Sequence, residues 1–335
     1  MDLPPRGEVS HPMAKRVVLI GHPVERSLPG ALQQAAFDAS GIGASYEPLD
    51  RLLIDLPEAI NDLRDDDYLG ANITVPYKER VVPMIDRMTD EAQHTGAVDT
   101  ITREGSRLVG HNTDVLGFRP ALDALVGKQK MPKAAVVLGA GGGARAVVYG
   151  LITQGFQRII VFNRHLHRAE GMVKHFGRTA AHMELRAMPF HESVIEAELA
   201  RAKLLVNASS VGRDGVETPI AQELLPPELL VLDLLYTPKE SRLLRESRAA
   251  GALSAMNGDL MLLHQTSAAF ELWTGKPAPM DVLRERLDAA RDELAAEREE
   301  AAKRASAAEA EAEGDGVKGP EAAAAAATTT DGKKR

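Results

Sequence analysis

The chain has 335 residues, a net charge of −8 and no cysteine. The length accommodates two domains with cores of their own, and the negative balance gives no electrostatic pull toward nucleic acid or an anionic membrane. The missing cysteines exclude a disulfide framework, a thiol nucleophile and thiolate metal sites.

Residues 1–14 read as a flexible leader, with Met13 an alternative start. The leader lacks the apolar h-region of a secretory signal, and no apolar run reaches the ~20 residues that span a bilayer. The default is a cytoplasmic protein. Arg16-Val-Val-Leu-Ile-Gly21 is a short apolar run stopped by glycine, the pattern of a buried strand. Helix is expected over 31–39, strand over 46–49, helix over 56–64, strand over 68–75 and helix over 78–87. A hairpin is expected from 98–102 and 108–110 around Glu104-Gly105, and a connecting helix over 114–125. Strand then follows at 134–138, helix at 144–153, strand at 158–162 and helix at 166–176. Strands at 203–207 and 229–234 precede a last apolar helix at 260–273. Strands separated by helices of this length imply mostly parallel sheets covered on both faces, an α/β fold.

The reading divides the chain into a first α/β domain with a mostly parallel sheet, residues 15–115, and a second dinucleotide-binding (Rossmann) domain, 116–257. The last helix, within 258–288, returns to complete the first domain. Residues 289–335 form an Ala/Glu-rich tail, helical with i,i+4 pairs Glu299–Lys303 and Glu300–Arg304, then disordered from 314 onward.

The chemistry is concentrated in two stretches. Gly139-Ala140-Gly141-Gly142-Gly143-Ala144 follows a strand and opens a helix. In such a loop Gly139 permits the tight turn and Gly141 lets backbone approach a pyrophosphate. Ala144 allows close helix–strand packing, and the helix N-terminus attracts phosphate. The next strand ends in Asn163-Arg164-His165, with Arg168 one turn on. No acidic residue stands there to hold a ribose 2′-hydroxyl, whereas an arginine suits a 2′-phosphate, so NADP(H) is the expected cofactor. The second stretch is Asn72-Ile-Thr-Val-Pro-Tyr-Lys78. Alone, Lys78 reads first as a solvated charge, and Asp114, in Gly110-His-Asn-Thr-Asp114, as a helix cap. Set together in a cleft, they form a proton-handling pair.

These motifs resemble the shikimate dehydrogenase family. Gly21-His-Pro-Val-Glu-Arg-Ser27 is similar to its substrate loop, and Gly96-Ala-Val-Asp-Thr100 to a further signature. Asp233-Leu-Leu-Tyr-Thr-Pro238 and Met261-Leu-Leu-His-Gln265 follow in family order. The resemblance spans roughly residues 15 to 288. It implies NADPH-dependent, reversible reduction of 3-dehydroshikimate to shikimate, with Lys78 and Asp114 as the catalytic pair. It further implies that Ser27, Asn72, Thr74, Asp99, Tyr236 and Gln265 meet the substrate. The cofactor would be met by residues 139–144, Asn163, Arg164, His165, Arg168 and Gly258. The expected partner is the small-molecule substrate, with a homodimer left open.

Two departures from the family pattern stand out. Pro29 replaces a serine of the substrate loop, which removes a hydroxyl donor. Asp99 stands where the family usually has asparagine, so an ionised carboxylate that only accepts replaces an amide that also donates. His165 replaces the usual threonine. His22, His111 and His264 lack metal-ligand spacing, and no metal is expected. The alternatives are a quinate or modified-shikimate dehydrogenase of the same family and a non-catalytic NADP-binding sensor.

Overall fold

The computed structural model describes residues 15–24 and 28–315. The leader, Ser27 and residues 316–335 of the expected disordered tail lie outside the described residues. The first lobe contains strands β1 (Lys15–Gly21), β2 (Ala44–Asp50), β3 (Tyr68–Ile73), β4 (Arg87–Met88), β5 (Thr100–Glu104) and β6 (Arg107–His111). Their order is β2-β1-β3-β5-β6-β4. β1 pairs parallel with β2 and β3, and β4 with β6. β5 runs antiparallel to both neighbours, and a tight turn at Gly105 (φ 63°) folds β6 back on it. Helices α1 (Leu28–Ala39), α2 (Leu56–Asp62) and α3 (Asp90–Thr95) cover the sheet, and Val18, Ile20, Ile60, Leu63, Ile73, Val98 and Ile101 fill one core beneath it.

The helix expected over 78–87 is absent. Arg80 and Val81 donate their amides to Tyr77 O, a 3₁₀ turn follows at Val82–Met84, and β4 begins at Arg87. Pro83 has no N–H for the i−4 carbonyl, and two β-branched valines precede it, so a continuous helix cannot form. Lys78 therefore sits in a tight turn, its carbonyl pinned by Val98 N at 2.8 Å.

Helix α4 (Thr113–Val126) leads to the second lobe. There β7 (Ala134–Leu138), α5 (Gly142–Thr153), β8 (Arg158–Asn163), α6 (Leu166–Phe176) and β9 (Glu184–Pro189) are followed by α7 (Glu192–Leu199) and β10 (Leu204–Asn207). β11 (Leu230–Asp233), α8 (Arg242–Ala249) and β12 (Ser254–Met256) complete it. All six strands are parallel, in the order β12-β11-β10-β7-β8-β9. Numbered from β7, this is 3-2-1-4-5-6, the doubly wound dinucleotide order with its switch point between β7 and β10. Two apolar layers, one on each face, bury the sheet.

Helix α9 (Asp259–Thr274) packs on α1, α4, β3 and β5. Trp273 Nε1 donates to Ile101 O at 3.0 Å, and Gln33 Nε2 to Thr266 O at 2.9 Å. α10 (Met280–Asp315) closes the described chain, and the chain divides into two units after Asp288. In the later part Arg304 pairs with Glu300; the Glu299–Lys303 pair falls outside the described side chains.

Candidate active site

Lys78 Nζ stands 2.5 Å from Asp114 Oδ2, with the two side chains 16% and 4% exposed. The lysine comes from the turn after β3 and the aspartate from the first turn of α4. A charged pair this dry persists only when geometry and neighbours compensate its desolvation. Burial pushes the Lys78 pKa down, but the carboxylates of Asp114 and Asp99 outweigh it and the net direction is up. Burial pushes Asp114 up, with Lys78 opposing and Asp99 reinforcing, and here too the net direction is up.

Asp114 does not cap its helix by its side chain. Asn112 does so, its Oδ1 accepting from Val115 N at 3.2 Å. The two preceding amides go elsewhere: Asp99 Oδ1 accepts from Thr113 N and Asp99 Oδ2 from Asp114 N, both at 2.8 Å. Asp114's carboxylate is thereby left for Lys78.

Asn72, half-buried at the end of β3, has its amide engaged within the fold. Tyr46 Oη donates to its Oδ1 at 2.8 Å, and its Nδ2 donates to Asp99 O and Thr100 Oγ1 at 3.1 and 2.9 Å. Thr74 is half-buried beside Gly21, where a β-carbon would come within 2.4 Å of Thr74 Cγ2. Tyr236 is half-buried and raised in pKa by burial, within electrostatic reach of Arg213, Lys78 and Asp114. Gln265 lies where α9 crosses α4: a β-carbon on Gly117 would stand 3.2 Å from Gln265 Cβ and 2.4 Å from Met261 O. Ser27 falls outside the described residues, but the chain before it is anchored. Asp50 accepts from Val24 N at 2.8 Å and pairs with His22 at 2.7 Å, contacts that hold its carboxyl below the ordinary range.

The glycine loop lies at the β7/β10 switch point. Gly139 has φ 109°, and a β-carbon there would meet Ala208 O at 2.7 Å. Gly141 and Gly143 face no atom within 3.8 Å of such a carbon, leaving room over the α5 N-terminus. Ala140 and Ala144 are buried in the core. An open glycine cradle on a helix N-terminus suits a pyrophosphate. Gly142 has a different neighbour: its β-carbon would fall 2.8 Å from both Cβ and Cδ of Lys78. The lysine stem of the first lobe thus lies on the glycine loop of the second. At the tip of β8, Asn163 Nδ2 donates to His165 O at 2.9 Å, shaping the turn. Arg164, His165 and Arg168 are exposed there. Gly258 precedes α9, where a β-carbon would collide with Leu234 O at 2.3 Å.

Contacts between the lobes were not anticipated from sequence. Arg145, just after the glycine loop, pairs with Glu79 at 3.0 Å and donates to Thr95 O at 3.0 Å. His175 Nε2 meets His94 O at 2.8 Å, and Arg168 stands 3.8 Å from Glu79. The only signal was the adjacency of Glu79 to Lys78 and of Arg145 to the loop. Among the described residues no group of three His, Asp or Glu could hold a metal, and no helix is long and apolar enough to cross a membrane.

A glycine loop at a helix N-terminus, pressed against a buried ammonium that a carboxylate holds, suits hydride chemistry coupled to proton transfer; in class the protein is an NADP-dependent oxidoreductase. A profile of the shikimate dehydrogenase substrate binding domain matches residues 19–101, and one for shikimate / quinate 5-dehydrogenase matches 124–216. The shikimate dehydrogenase (NADP(+)) of Symbiobacterium thermophilum is 39% identical over 269 residues, 79% of this chain and 91% of that protein. The chain belongs to the shikimate dehydrogenase family. The Thermus thermophilus shikimate 5-dehydrogenase, crystallised with NADP(H) and shikimate, is 38% identical with a TM-score of 0.70. That match covers 82% of this chain and 99% of that one. A quinate dehydrogenase of Corynebacterium glutamicum is 29% identical, TM-score 0.73, covering 82% and 99%.

Proposed function

We propose that the protein catalyses the NADPH-dependent, reversible reduction of 3-dehydroshikimate to shikimate. The observation that carries this reading is the buried Lys78–Asp114 pair lying against Gly142 of the dinucleotide loop. NADPH, when bound, supplies the hydride. Lys78, held cationic by its carboxylates, gives a proton from Nζ to the oxygen that becomes the new hydroxyl, and in the reverse direction it takes that proton back. Asp114 orients the ammonium and stabilises it. Asn72, Thr74, Tyr236 and Gln265 line the substrate side, Asp99 stands behind them, and the family resemblance gives Ser27 the substrate carboxylate. The α5 N-terminus and residues 139–144 would hold the pyrophosphate and Asn163, Arg164, His165 and Arg168 the 2′-phosphate, while Gly258, against Leu234 beyond β12, would meet the cofactor on the other side of the switch point.

On this reading residues 15–115 with 258–288 form the substrate domain, 116–257 the cofactor domain and 289–335 a tail. The proposed place of work is the cytoplasm, and a homodimer is left open. Quinate is the second candidate substrate, favoured by Pro29, which removes a hydroxyl donor at the start of α1, and by the likeness to the Corynebacterium quinate dehydrogenase.

The test is NADP⁺ reduction by the purified protein with shikimate, followed by absorbance, with quinate and NAD⁺ in parallel and Lys78→Ala as control. Shikimate- and NADP⁺-dependent turnover that collapses in the variant is expected. Turnover with quinate alone would shift the reading to the second substrate.

A further inference from the structure

Asp99 is 3% exposed and spends its carboxylate almost wholly on its own surroundings. Oδ1 accepts from Thr113 N and Thr113 Oγ1, each at 2.8 Å, and from Thr100 Oγ1 at 2.9 Å; Oδ2 accepts from Asp114 N at 2.8 Å. The two backbone donors are amides of the first turn of α4, which have no carbonyl partner inside the helix. An anion is favoured there by the helix dipole as well. We infer that Asp99 is a positioning residue for the proton-transfer pair, fixing the first turn of α4 so that the carboxyl of Asp114 stands against Lys78.

An amide does this less completely. Asparagine has one acceptor oxygen, and Thr113 N and Asp114 N are both donors bound by different oxygens of Asp99. Whichever way an asparagine turned, its NH₂ would face one of those amides, donor against donor, and release it. The carboxylate has a second effect. Its charge acts on both Lys78 and Asp114, so the lysine faces two anions and stays ammonium to higher pH. Asp99 thereby trades the donor an asparagine would offer the substrate for a tighter proton-transfer pair.

This inference rests on the assignment of Lys78 and Asp114, so the experiment tests both. The kcat, KM for 3-dehydroshikimate and pH profile of NADPH oxidation are measured for the wild type, Asp99→Asn, Asp99→Glu and Lys78→Met. NADPH binding, followed by fluorescence, reports folding. For Asp99→Asn we expect kcat to fall about tenfold, KM to change less than about threefold, and the alkaline limb to move down by about one pH unit. Asp99→Glu keeps the charge but displaces it, so its alkaline limb should stay in place while kcat falls. It also keeps the test decisive should the asparagine variant not fold. A rise in KM with kcat and the alkaline limb unchanged would make Asp99 a substrate contact and overturn the inference. Unaltered kinetics in both Asp99 variants would overturn it equally. Full activity in Lys78→Met would instead overturn the pair assignment itself, and the inference with it.

Discussion

Lys78 and Asp114 are unequal partners under mutation. Asp114→Asn keeps the volume and removes the charge, leaving a largely buried ammonium with its chief counter-ion gone. Breaking a buried pair in this way costs about 3–5 kcal/mol, so the urea midpoint should fall markedly at neutral pH. Lys78→Met replaces the ammonium with an apolar chain and should destabilise less, although two carboxylates then face each other. Both variants should lose about 10²- to 10⁴-fold in kcat, the range for general acid–base groups. The pH dependence follows from the directions of the shifts. Lys78 is raised in the folded protein, so its stabilisation is fully present below the unfolded lysine value of about 10.4 and is lost as pH rises through the folded value. Urea midpoints of the wild type should therefore hold to about pH 10 and decline above it; Lys78→Met should shrink the decline, and the tyrosines that burial also raises keep the rest. Asp114 is also raised, so it protonates at higher pH than a free aspartate. The acid limb of kcat should lie above about pH 4 and vanish from the residual activity of Asp114→Asn.

At the scale of elements, single glycines and turns decide where these side chains meet. α4 and α9 cross at Gly117, where a β-carbon would lie 2.4 Å from Met261 O, a backbone atom that cannot swing aside. In an open helix Gly→Ala would gain about 1 kcal/mol from propensity; here overpacking of about 1–3 kcal/mol opposes it. Gly117→Ala should lower the thermal midpoint and, by displacing Gln265, raise the KM for shikimate. On the proposed reading the turn after β8 governs cofactor choice. Arg164→Ala should raise the KM for NADP⁺ about ten- to a hundred-fold, the value of a charged hydrogen bond of about 1.5–3 kcal/mol. NAD⁺ has no 2′-phosphate and should be nearly unaffected; initial rates with both cofactors check this. Most of these elements were legible in the sequence. The buried parallel strands of the second lobe, such as Ala134–Leu138, are unbroken apolar runs, and glycine marks their ends. The 78–87 segment misled because charged residues spaced like a helix hid what Pro83 forbids. β9 escaped because Glu184–Pro189 is an edge strand with no fully buried residue, so it lacks the apolar pattern of its neighbours. β12, only three residues long and half-buried, escaped for the same reason. The partners of Asp99 were illegible for a different reason. Its backbone donors, Thr113 N and Asp114 N, come from 14 and 15 positions away, brought together by the β5–β6 hairpin rather than by any local pattern.

Across the whole molecule, the two lobes are tied by more than the α4 connection. α3 ends at Gly96 in the left-handed region (φ 61°), and the last turn of a helix presents carbonyls with no partner of their own. The second lobe supplies them. Arg145 donates to Thr95 O while pairing with Glu79, and His175 meets His94 O. Gly96 leaves room for this: a β-carbon there would stand 2.7 Å from His175 Cε1. The clasp joins the residue after Lys78 to the residue after the glycine loop, so it sets the distance between proton donor and cofactor cradle. Arg145→Met removes one charged donor, worth about 1.5–3 kcal/mol, which shifts a closed–open equilibrium about ten- to a hundred-fold toward open. Small-angle scattering should then show a larger radius of gyration for the free variant than for the free wild type. NADPH and shikimate together should restore the compact form, because ligands bridging both lobes favour the state they bind. In kinetics kcat and KM should change together, as expected when closure rather than chemistry is altered. A free variant as compact as the wild type would show that the Arg145 contacts do not set the spacing of the lobes and serve only to satisfy the end of α3.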